Sequence, residues 1–334
     1  MMSPIATILI PTCNRPLYLQ RCLAFYQHCS QQFQIIVLDS SNNSDSAAIT
    51  SQYPHVTYHK LPYTISFSAK LAAGGQMAST DFVSICSDDD FIFPQGIRAC
   101  VSFLTRQPDF VAAHGKYLRH IISDDGKLSF AETYRGKLPT VLDSDLSPAQ
   151  RLIAHYGDYV PTFYATTRTD IFRTIYQLTA ESGVEFGLSE VLPSSLTVLM
   201  GKVGRIHQMY ACREAHQHDW VTDERKVQMY SADKTNRAIS LLAVTMSQQQ
   251  PEICTQYAHE LLTQLLIVGK GMASLAPDEH TLQLRHSKSN GWPQSFWVQN
   301  EEAKWASDQV AQILLKYCGY TREQMIQLRE ALYL

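Results

Sequence analysis

The sequence predicts an α/β fold: a mostly parallel, doubly wound sheet with a C-terminal helical extension. Short apolar runs alternate with helical patterns over roughly the first hundred residues, as in repeated strand–helix units. Several of these runs are apolar on both faces, which is typical of parallel strands covered by helices on each side. From about residue 229 onwards the apolar periodicity is almost wholly helical.

The N-terminal elements alternate in a regular order. Pro16 suits the first turn of a helix, because the N–H that proline lacks has no partner at that position. The predicted strands cover residues 5–10, 33–41, 55–61 and 81–86, and the predicted helices cover residues 16–29, 43–53, 67–78 and 94–106.

The pattern changes after the fourth helix. Asp125-Gly126 between two alternating runs predicts a β-hairpin. Further strands are predicted over 159–167 and from 204 towards 220, and helices over 148–156, 168–178, 189–202, 229–248, 252–275, 299–318 and 321–332. The change near 225–230 predicts a catalytic unit over residues 1–225 and a helical region over 226–334.

The composition is that of a soluble globular protein, with 45% hydrophobic and 18% charged residues. A net charge of -3 provides no general attraction to nucleic acid. The eight cysteines are scattered without a C-x-x-C pair, which favours reduced core cysteines. No basic leader and no apolar run of about 20 residues is present, so we expect a cytoplasmic protein.

Polar clusters follow three predicted strands: residues 11–15, 39–42 and 87–90. Ligands of open parallel sheets bind beyond the carboxyl ends of the strands, so we expect these clusters to share one crevice. Carboxylate oxygens together with a substrate diphosphate satisfy Mg²⁺ or Mn²⁺. The alternative is that Asp88, Asp89 and Asp90 form a solvated turn that caps the helix beginning near Pro94.

Three segments, "ATILIPTCNRPLYLQRCL", "IIVLDSSNNS" and "AKLAAGGQMASTDFVSICSDDDF", resemble the family-2 glycosyltransferases, which have the GT-A nucleotide-diphospho-sugar fold. The resemblance covers about residues 5–215. Several positions depart from the family pattern. Cys13 replaces an aromatic residue and Ser87 an Asp, Ser40-Ser41-Asn42 replaces Asp-Gly-Ser, and Lys70-Leu71 replaces Arg-Asn.

The resemblance implies roles for the polar clusters. It places the nucleoside against Pro11, Thr12, Asn14, Arg15 and Asp39. Lys70 would lie beside the base or the diphosphate, Asp89 would bind the metal ion, and Asp88 would contact the ribose, the sugar or the metal shell. Because Lys70-Leu71 replaces the Arg-Asn of the family, the resemblance does not identify the base of the nucleotide.

The resemblance also implies a catalytic base and a further metal ligand. Glu190, at the start of an apolar helical pattern, is the candidate base, with Glu185 in reserve. The alternative is that Glu190 only interacts favourably with a helix dipole. His216, and after it His218, is the candidate metal ligand, and Arg213 the candidate diphosphate contact. An exposed His is more often an ordinary surface residue.

The predicted function is metal-dependent, inverting transfer of a sugar from a nucleotide-diphosphate donor to a hydroxyl acceptor, with Mn²⁺ or Mg²⁺. The resemblance suggests a glycan or lipid-linked acceptor, a role in cell-surface polysaccharide synthesis and peripheral association with the inner membrane face. Trp292, Trp297 and Trp305 near basic residues 284–289 form either an acceptor or membrane patch or helix packing.

Two alternatives keep the same fold. A nucleotidyltransferase that builds nucleotide-sugars is disfavoured because residues 11–18 lack the glycine-rich loop such enzymes carry after the first strand. A non-catalytic scaffold that binds a partner through its helical tail is compatible with the altered Ala69-Lys70-Leu71 segment. The oligomeric state stays open.

Overall fold

A nine-stranded sheet lies at the centre of the protein. The computed structural model describes residues 3–122, 128–132, 146–157, 161–184, 188–214, 232–263, 305, 309–310 and 312–314. The N-terminal elements are β1 (Ala6–Thr12), α1 (Pro16–Tyr26), β2 (Phe33–Asp39), α2 (Asp45–Thr50), β3 (Val56–Lys60), α3 (Phe67–Met77) and β4 (Phe82–Ile85), with a short 3₁₀ turn over Ser30–Gln32.

The second half adds five strands and six helices to the described part. They are β5 (Phe91–Ile92), α4 (Pro94–Arg106), β6 (Phe110–Ile122), β7 (Leu128–Glu132), α5 (Pro148–Gly157), β8 (Thr166–Arg168), α6 (Thr169–Ser182), α7 (Leu188–Met200), β9 (Lys202–Glu214), α8 (Ala232–Gln249) and α9 (Thr255–Thr263).

The strand order is β3-β2-β1-β4-β8-β6-β9-β5, with β7 paired to β6. The first four strands in this order are mutually parallel, and the long β6–β9 pairing is parallel as well. Strand order reverses between β1 and β4, since β2 and β3 lie to one side of β1 and β4 to the other. This reversal is the place where open α/β sheets bind their ligands.

The predicted fold class is therefore confirmed, with local corrections. Of the strand predicted over 159–167, the described residues form only β8. A turn precedes it, in which the Ala165 N–H donates a hydrogen bond of 2.9 Å to the Thr162 carbonyl. The two-residue β5 escapes prediction because its pairing partner, β9, lies far along the chain. The hairpin is confirmed by the β6–β7 pairing, although Asp125-Gly126 itself lies outside the described residues.

The apolar runs predicted as strands form the core. Every residue of β1 and β4 is buried, and α1 contributes Leu19, Cys22, Leu23 and Tyr26 to the same cluster. Burying each large apolar side chain contributes about 1.5–3 kcal/mol. No described helix is long and apolar enough to span a lipid bilayer. The helices predicted over 299–318 and 321–332 lie mostly outside the described residues.

A bulge in the β6–β9 pairing brings the two backbones very close together. The register shifts between His114 and Lys116 of β6, which pair with Arg205 and Met209. A Cβ atom on Gly115 would lie 2.1 Å from the carbonyl oxygen of Gln208. Only glycine fits at this position without a shift of the backbone.

We expect Gly115→Ala to lower the free energy of unfolding by about 1–3 kcal/mol, as overpacking does in other cores. Urea unfolding measures the change. Gly183→Ala is the comparison, because Gly183 has a φ of 64° and a Cβ there would meet only an arginine tip. That variant should cost about 1 kcal/mol for backbone reasons. A Gly115→Ala protein as stable as the wild type would contradict the argument.

Candidate active site

The candidate site lies where strand order reverses, at the carboxyl ends of β1 and β4. The Thr12 hydroxyl, at the end of β1, donates a hydrogen bond of 2.7 Å to Oδ2 of Asp88, which follows β4. Thr12 is also paired with Asp39 at the end of β2. The three polar clusters predicted to share a crevice are therefore neighbours at one rim of the sheet.

Arg15 neutralises the first two acids of the triplet. One guanidinium nitrogen, Nη1, lies 2.9 Å from Oδ1 of Asp88, and the other, Nη2, lies 2.8 Å from Oδ2 of Asp89. The guanidinium is also centred 4.1 Å from the ring of Tyr18, one helical turn further along. Asp88 is buried, whereas the side chain of Asp89 is 14% exposed. Two adjacent carboxylates thus share a single cation.

The carboxylate of Asp90 has different partners from the carboxylates of Asp88 and Asp89. Its Oδ2 accepts a hydrogen bond of 2.5 Å from the Tyr164 hydroxyl, and its Oδ1 accepts one of 2.8 Å from the backbone N–H of Glu214. Arg213 lies 3.6 Å from Oδ2. Asp90 therefore ties the acidic loop to the turn before β8 and to the end of β9.

These contacts rule out the capping alternative for the triplet. Within the described residues no side chain caps α4, and its first turn holds no acidic residue. The carboxylates of Asp88 and Asp90 instead bind side chains and backbone of β1, the turn before β8 and β9. The acids point towards the strand ends, away from the start of the following helix.

Burial makes two of the carboxyl groups unusually basic. Burial raises the pKa of Asp88 to about 7, although Arg15 opposes the shift. Burial and the charge of Asp89 raise the pKa of Asp90 to about 6. For Arg15, burial opposes the charged form, but the two carboxylates outweigh it and raise the pKa of the guanidinium above its ordinary value. The group carries a full positive charge at any working pH.

Asp39 is the centre of a separate, saturated network. Its Oδ1 accepts hydrogen bonds from the N–H and the hydroxyl of Ser41, at 2.7 and 2.5 Å. Its Oδ2 accepts from the Tyr58 hydroxyl at 2.7 Å and from Lys60 Nζ at 3.1 Å. Burial would raise the pKa of Asp39, but these donors together lower it. A nucleoside can reach this fully buried carboxylate only if Tyr58 or Lys60 moves.

The turn after β1 and the loop after β2 are bound to each other. Asn14, at a φ of 55° that asparagine tolerates better than most residues, donates its backbone N–H to the Ser41 hydroxyl at 2.7 Å. Its side-chain oxygen accepts the N–H of Asn42 at 3.0 Å. Lys60 also donates to the carbonyls of Ser41 and Asn43. The predicted nucleoside contacts thus form one preformed surface.

Lys70 supports that surface by binding the end of β1. It lies in α3, is 4% exposed, and donates from Nζ to the Thr12 carbonyl at 2.8 Å. Burial lowers its pKa. Leu71, the next residue and the main departure from the family pattern, is fully buried in the core. Pro11 is a buried residue of β1.

Arg213 lies at the acidic loop, whereas Glu190 interacts electrostatically with the buried Tyr176 of α6. Glu190 lies half-buried in the first turn of α7. Ser194, one turn later, accepts the N–H of Thr162 at 3.3 Å, two residues before Tyr164. The Arg213 guanidinium lies 4.9 Å from the centre of the Tyr164 ring. Tyr164 therefore joins the acidic loop to Arg213, and Thr162, two residues earlier, joins the same turn to α7.

Several predicted residues cannot be placed. Glu185, His216, His218, Trp292 and Trp297 lie outside the described residues. Trp305 is described, and its ring is 5.8 Å from the ring of Phe93. That contact favours the packing interpretation for this one tryptophan.

The sequence interpretation missed five residues that shape the site: Arg21, Tyr58, Lys60, Tyr164 and Glu214. Tyr58 and Lys60 are two apart in a strand, so they point to the same face, and that spacing was a usable signal. Arg21 is a charge inside an otherwise apolar helix face, which was a second one. Tyr164 and Glu214 carry no local signal, because their partners are far away in the chain.

Comparisons with known proteins agree with this arrangement. Residues 7–119 match the family model described as Glycosyl transferase family 2. This segment, about a third of the chain, is therefore similar to family-2 glycosyltransferases. The matched segment includes β1 to β4, the acidic triplet and Arg15, so the predicted recognition is confirmed where the site is built.

Solved structures extend the likeness in fold to the rest of the chain. The structure of S. aureus TarS 1–349 in complex with UDP-GlcNAc is 14% identical, with a TM-score of 0.52, over 97% of this chain and 83% of that one. The longer TarS structure is 12% identical, with a TM-score of 0.49, over 98% of this chain. This chain spans 55% of that longer protein. No curated protein sequence matches the chain.

We expect the raised pKa of Asp88 to make part of the folding stability depend on pH. The folded protein takes up a proton near pH 7, whereas the unfolded chain does so only near about 3.9. Between these values the folded state binds more protons, so this contribution to stability rises as pH falls.

The measurement is the difference in unfolding free energy between wild type and Asp88→Asn, in EDTA, from about pH 8 to about pH 5. As pH falls, the unfolding free energy of wild type should rise relative to that of the variant, by at most about 1.4 kcal/mol per pH unit. The difference removes the contribution of His114 and His155, whose pKa values burial lowers to about 3 in both proteins. A difference that stays flat would contradict the burial of a titrating Asp88. Asp45→Asn on exposed α2 is the control.

Proposed function

We propose that the protein transfers a sugar from a nucleotide-diphosphate donor to a hydroxyl acceptor, in a metal-dependent reaction that inverts the anomeric carbon. The observation that carries the proposal is the pair Asp88 and Asp89, which share one cation at the reversal point of the sheet. The family-2 match over the same segment supports it.

The acidic pair suits a hard divalent cation. Carboxylate oxygens are the ligands that Mg²⁺ and Mn²⁺ prefer, and Asp88 and Asp89 are already close enough to bind one positive group together. Within the described residues no group of three or more His, Cys, Asp or Glu side chains is placed to hold a metal ion. We assign the metal to Asp89, with Asp88 beside it, His216 as the further protein ligand and donor phosphates and water as the rest.

Bound there, Mn²⁺ or Mg²⁺ would supply Lewis-acid stabilisation of the departing diphosphate. Because Arg15 binds the carboxylate of Asp89, it would have to turn away for that carboxylate to hold a metal ion. The Arg15 side chain is 35% exposed, so solvent-facing space is next to it. A displaced guanidinium at this rim is well suited to bind a phosphate oxygen.

The nucleoside is assigned to the surface formed by Pro11, Thr12, Asn14 and Asp39, which Lys70 supports. Because Tyr58 and Lys60 saturate Asp39, we propose that the nucleoside meets the edge of this network rather than the open carboxylate. The base is unassigned. UDP-sugars are the first donors to try, since the similarly folded TarS structure was solved with UDP-GlcNAc.

The proposed chemistry is a single in-line displacement. The Glu190 carboxylate accepts the proton of the acceptor hydroxyl. The acceptor oxygen forms its bond to the anomeric carbon as the bond from that carbon to the diphosphate oxygen breaks. Arg213 then stabilises the negative charge that develops on the leaving diphosphate.

The remaining assignments rest on the sequence. The family resemblance suggests a glycan or lipid-linked acceptor, a role in cell-surface polysaccharide synthesis and peripheral membrane association. The composition and the N-terminal segment suggest a cytoplasmic location, and the change of pattern near 225–230 suggests a catalytic unit that ends near residue 225. A helical region from residue 226 onwards would then serve the acceptor or a partner.

The proposal is tested with a panel of nucleotide-sugars, each scored for hydrolysis and transfer with Mn²⁺. We expect at least one donor to turn over. Asp89→Asn should lower that rate by about 10²–10³-fold even at saturating Mn²⁺, because a group that stabilises the leaving charge is lost. Asp45→Asn on exposed α2 is the matched control. Full activity of Asp89→Asn would remove the metal assignment, and no turnover with any donor would remove the proposed function.

The assignment of Glu190 has a separate test. Glu190→Gln should lower kcat by about 10²–10⁴-fold, as loss of a general base does, with the dissociation constant of the donor unchanged. Glu181→Gln on exposed α6 is the control. If kcat is retained, Glu190 is an ordinary residue of a first helical turn.

A further inference from the structure

A buried ion pair lies directly behind the acidic loop. Arg21 of α1 is 3% exposed, and its Nη2 binds the carboxylate of Glu214, the last residue of β9. The Glu214 side chain is 7% exposed. The two residues are 193 positions apart in the chain, so this pair joins the first helix to the last described strand of the sheet.

The same arginine nitrogen also forms a hydrogen bond with the acidic loop. Arg21 Nη2 donates a hydrogen bond of 3.0 Å to the backbone carbonyl of Asp89. On the next residue, the Asp90 carboxylate accepts the backbone N–H of Glu214. The Arg21 side chain thus binds the Asp89 carbonyl, and the backbone of its partner Glu214 binds the Asp90 side chain.

Two further contacts fix the pair in place. His120 of β6, fully buried, has Nε2 3.4 Å from the carboxylate of Glu214. The Arg21 guanidinium lies 4.3 Å from the centre of the Tyr18 ring, the same ring that lies 4.1 Å from the guanidinium of Arg15. Tyr18 thus separates the arginine that binds the Asp89 carbonyl from the arginine that binds the Asp89 carboxylate.

The loop after β2 is held by other donors. Asp39, Ser41, Tyr58 and Lys60 form their own network around the loop after β2. The Arg21–Glu214 pair instead contacts the loop of the triplet, where the diphosphate and metal are assigned. The two halves of the site therefore have donors of their own, and they meet where the Thr12 hydroxyl binds Asp88.

We propose that Arg21 and Glu214 are positioning residues for the diphosphate-and-metal half of the site. This inference rests on the proposed function. Neither residue touches substrate; together they set the orientation of the Asp89–Asp90 peptide and hence of the Asp89 carboxylate. A buried ion pair adds little net stability compared with apolar residues of the same volume. The Arg21 side chain binds the Asp89 carbonyl, and the Glu214 carboxylate holds that side chain in place, which gives the pair a positioning role.

The test uses the full chain with both charges removed, Arg21→Met together with Glu214→Leu. Single variants leave one buried charge without its partner and are prone to unfold, whereas the double variant keeps an apolar core. Arg151→Met is the matched control. Arg151 is also a buried arginine that binds backbone carbonyls, those of Val198 and Leu199, but at the far end of α7.

The first readout is hydrogen exchange of the free protein, which needs no ligand. Peptides covering residues 86–91 should exchange about tenfold faster in the double variant. Local opening of this loop no longer has to break the hydrogen bond from Arg21 to the Asp89 carbonyl. Peptides covering residues 33–41 should be unchanged. Arg151→Met should leave both regions as in wild type.

The second readout is binding, with UDP plus Mn²⁺ and with uridine as probes. The dissociation constant for UDP with Mn²⁺ should rise about 10–100-fold in the double variant, as on loss of residues that orient metal ligands. That for uridine should stay within about twofold of wild type, because its surface has separate support. Both constants should be unchanged in Arg151→Met.

Unchanged exchange of residues 86–91 in a folded double variant overturns the proposal, whatever the binding results. An equal loss for UDP and uridine overturns it too, since it would mean a general structural effect. If wild type binds neither probe but the exchange change is seen, Arg21 and Glu214 still hold the acidic loop, and the proposed use of UDP is what has failed.

Discussion

The structure of the site depends on one electrostatic constraint: a carboxylate is buried beyond the end of a fully buried strand. Asp88 follows β4 at the reversal point of the sheet and is almost completely buried. Its charge therefore needs partners from the protein. Thr12 supplies a hydrogen bond and Arg15 a positive charge. Arg15 in turn stacks on Tyr18, and Tyr18 on Arg21. The first helix is thereby fixed against the acidic loop.

Much of this arrangement is predictable from local patterns. Apolar runs on both faces gave the parallel strands, and the ends of those strands located the polar clusters, because carboxyl ends of parallel strands meet at one rim. The grouping of Thr12, Asp39 and Asp88 follows from that rule alone. The end of the strand predicted over 159–167 was placed well, but its beginning was not, since a turn there positions Tyr164 on Asp90.

What local patterns missed depends on pairings across the whole chain. Glu214 reaches Arg21 from 193 residues away, and no spacing in the sequence connects them. The departure at Lys70-Leu71 is also explained only in three dimensions: Lys70 holds the end of β1, and Leu71 fills the core. Asp39 shows the limit of a motif, because its neighbours Tyr58 and Lys60 decide how much of its carboxylate a ligand can meet.

The sharing of one arginine by two carboxylates has a consequence for the way in which ligands arrive. Arg15, Arg21 and Arg213 lie among Asp88, Asp89, Asp90 and Glu214, so opposite charges at this rim nearly cancel. Such a surface projects little field into solvent, and beyond about 8 Å the remainder is screened at physiological salt. Long-range attraction therefore contributes little to encounter, and the rate of association is expected to change only weakly with ionic strength.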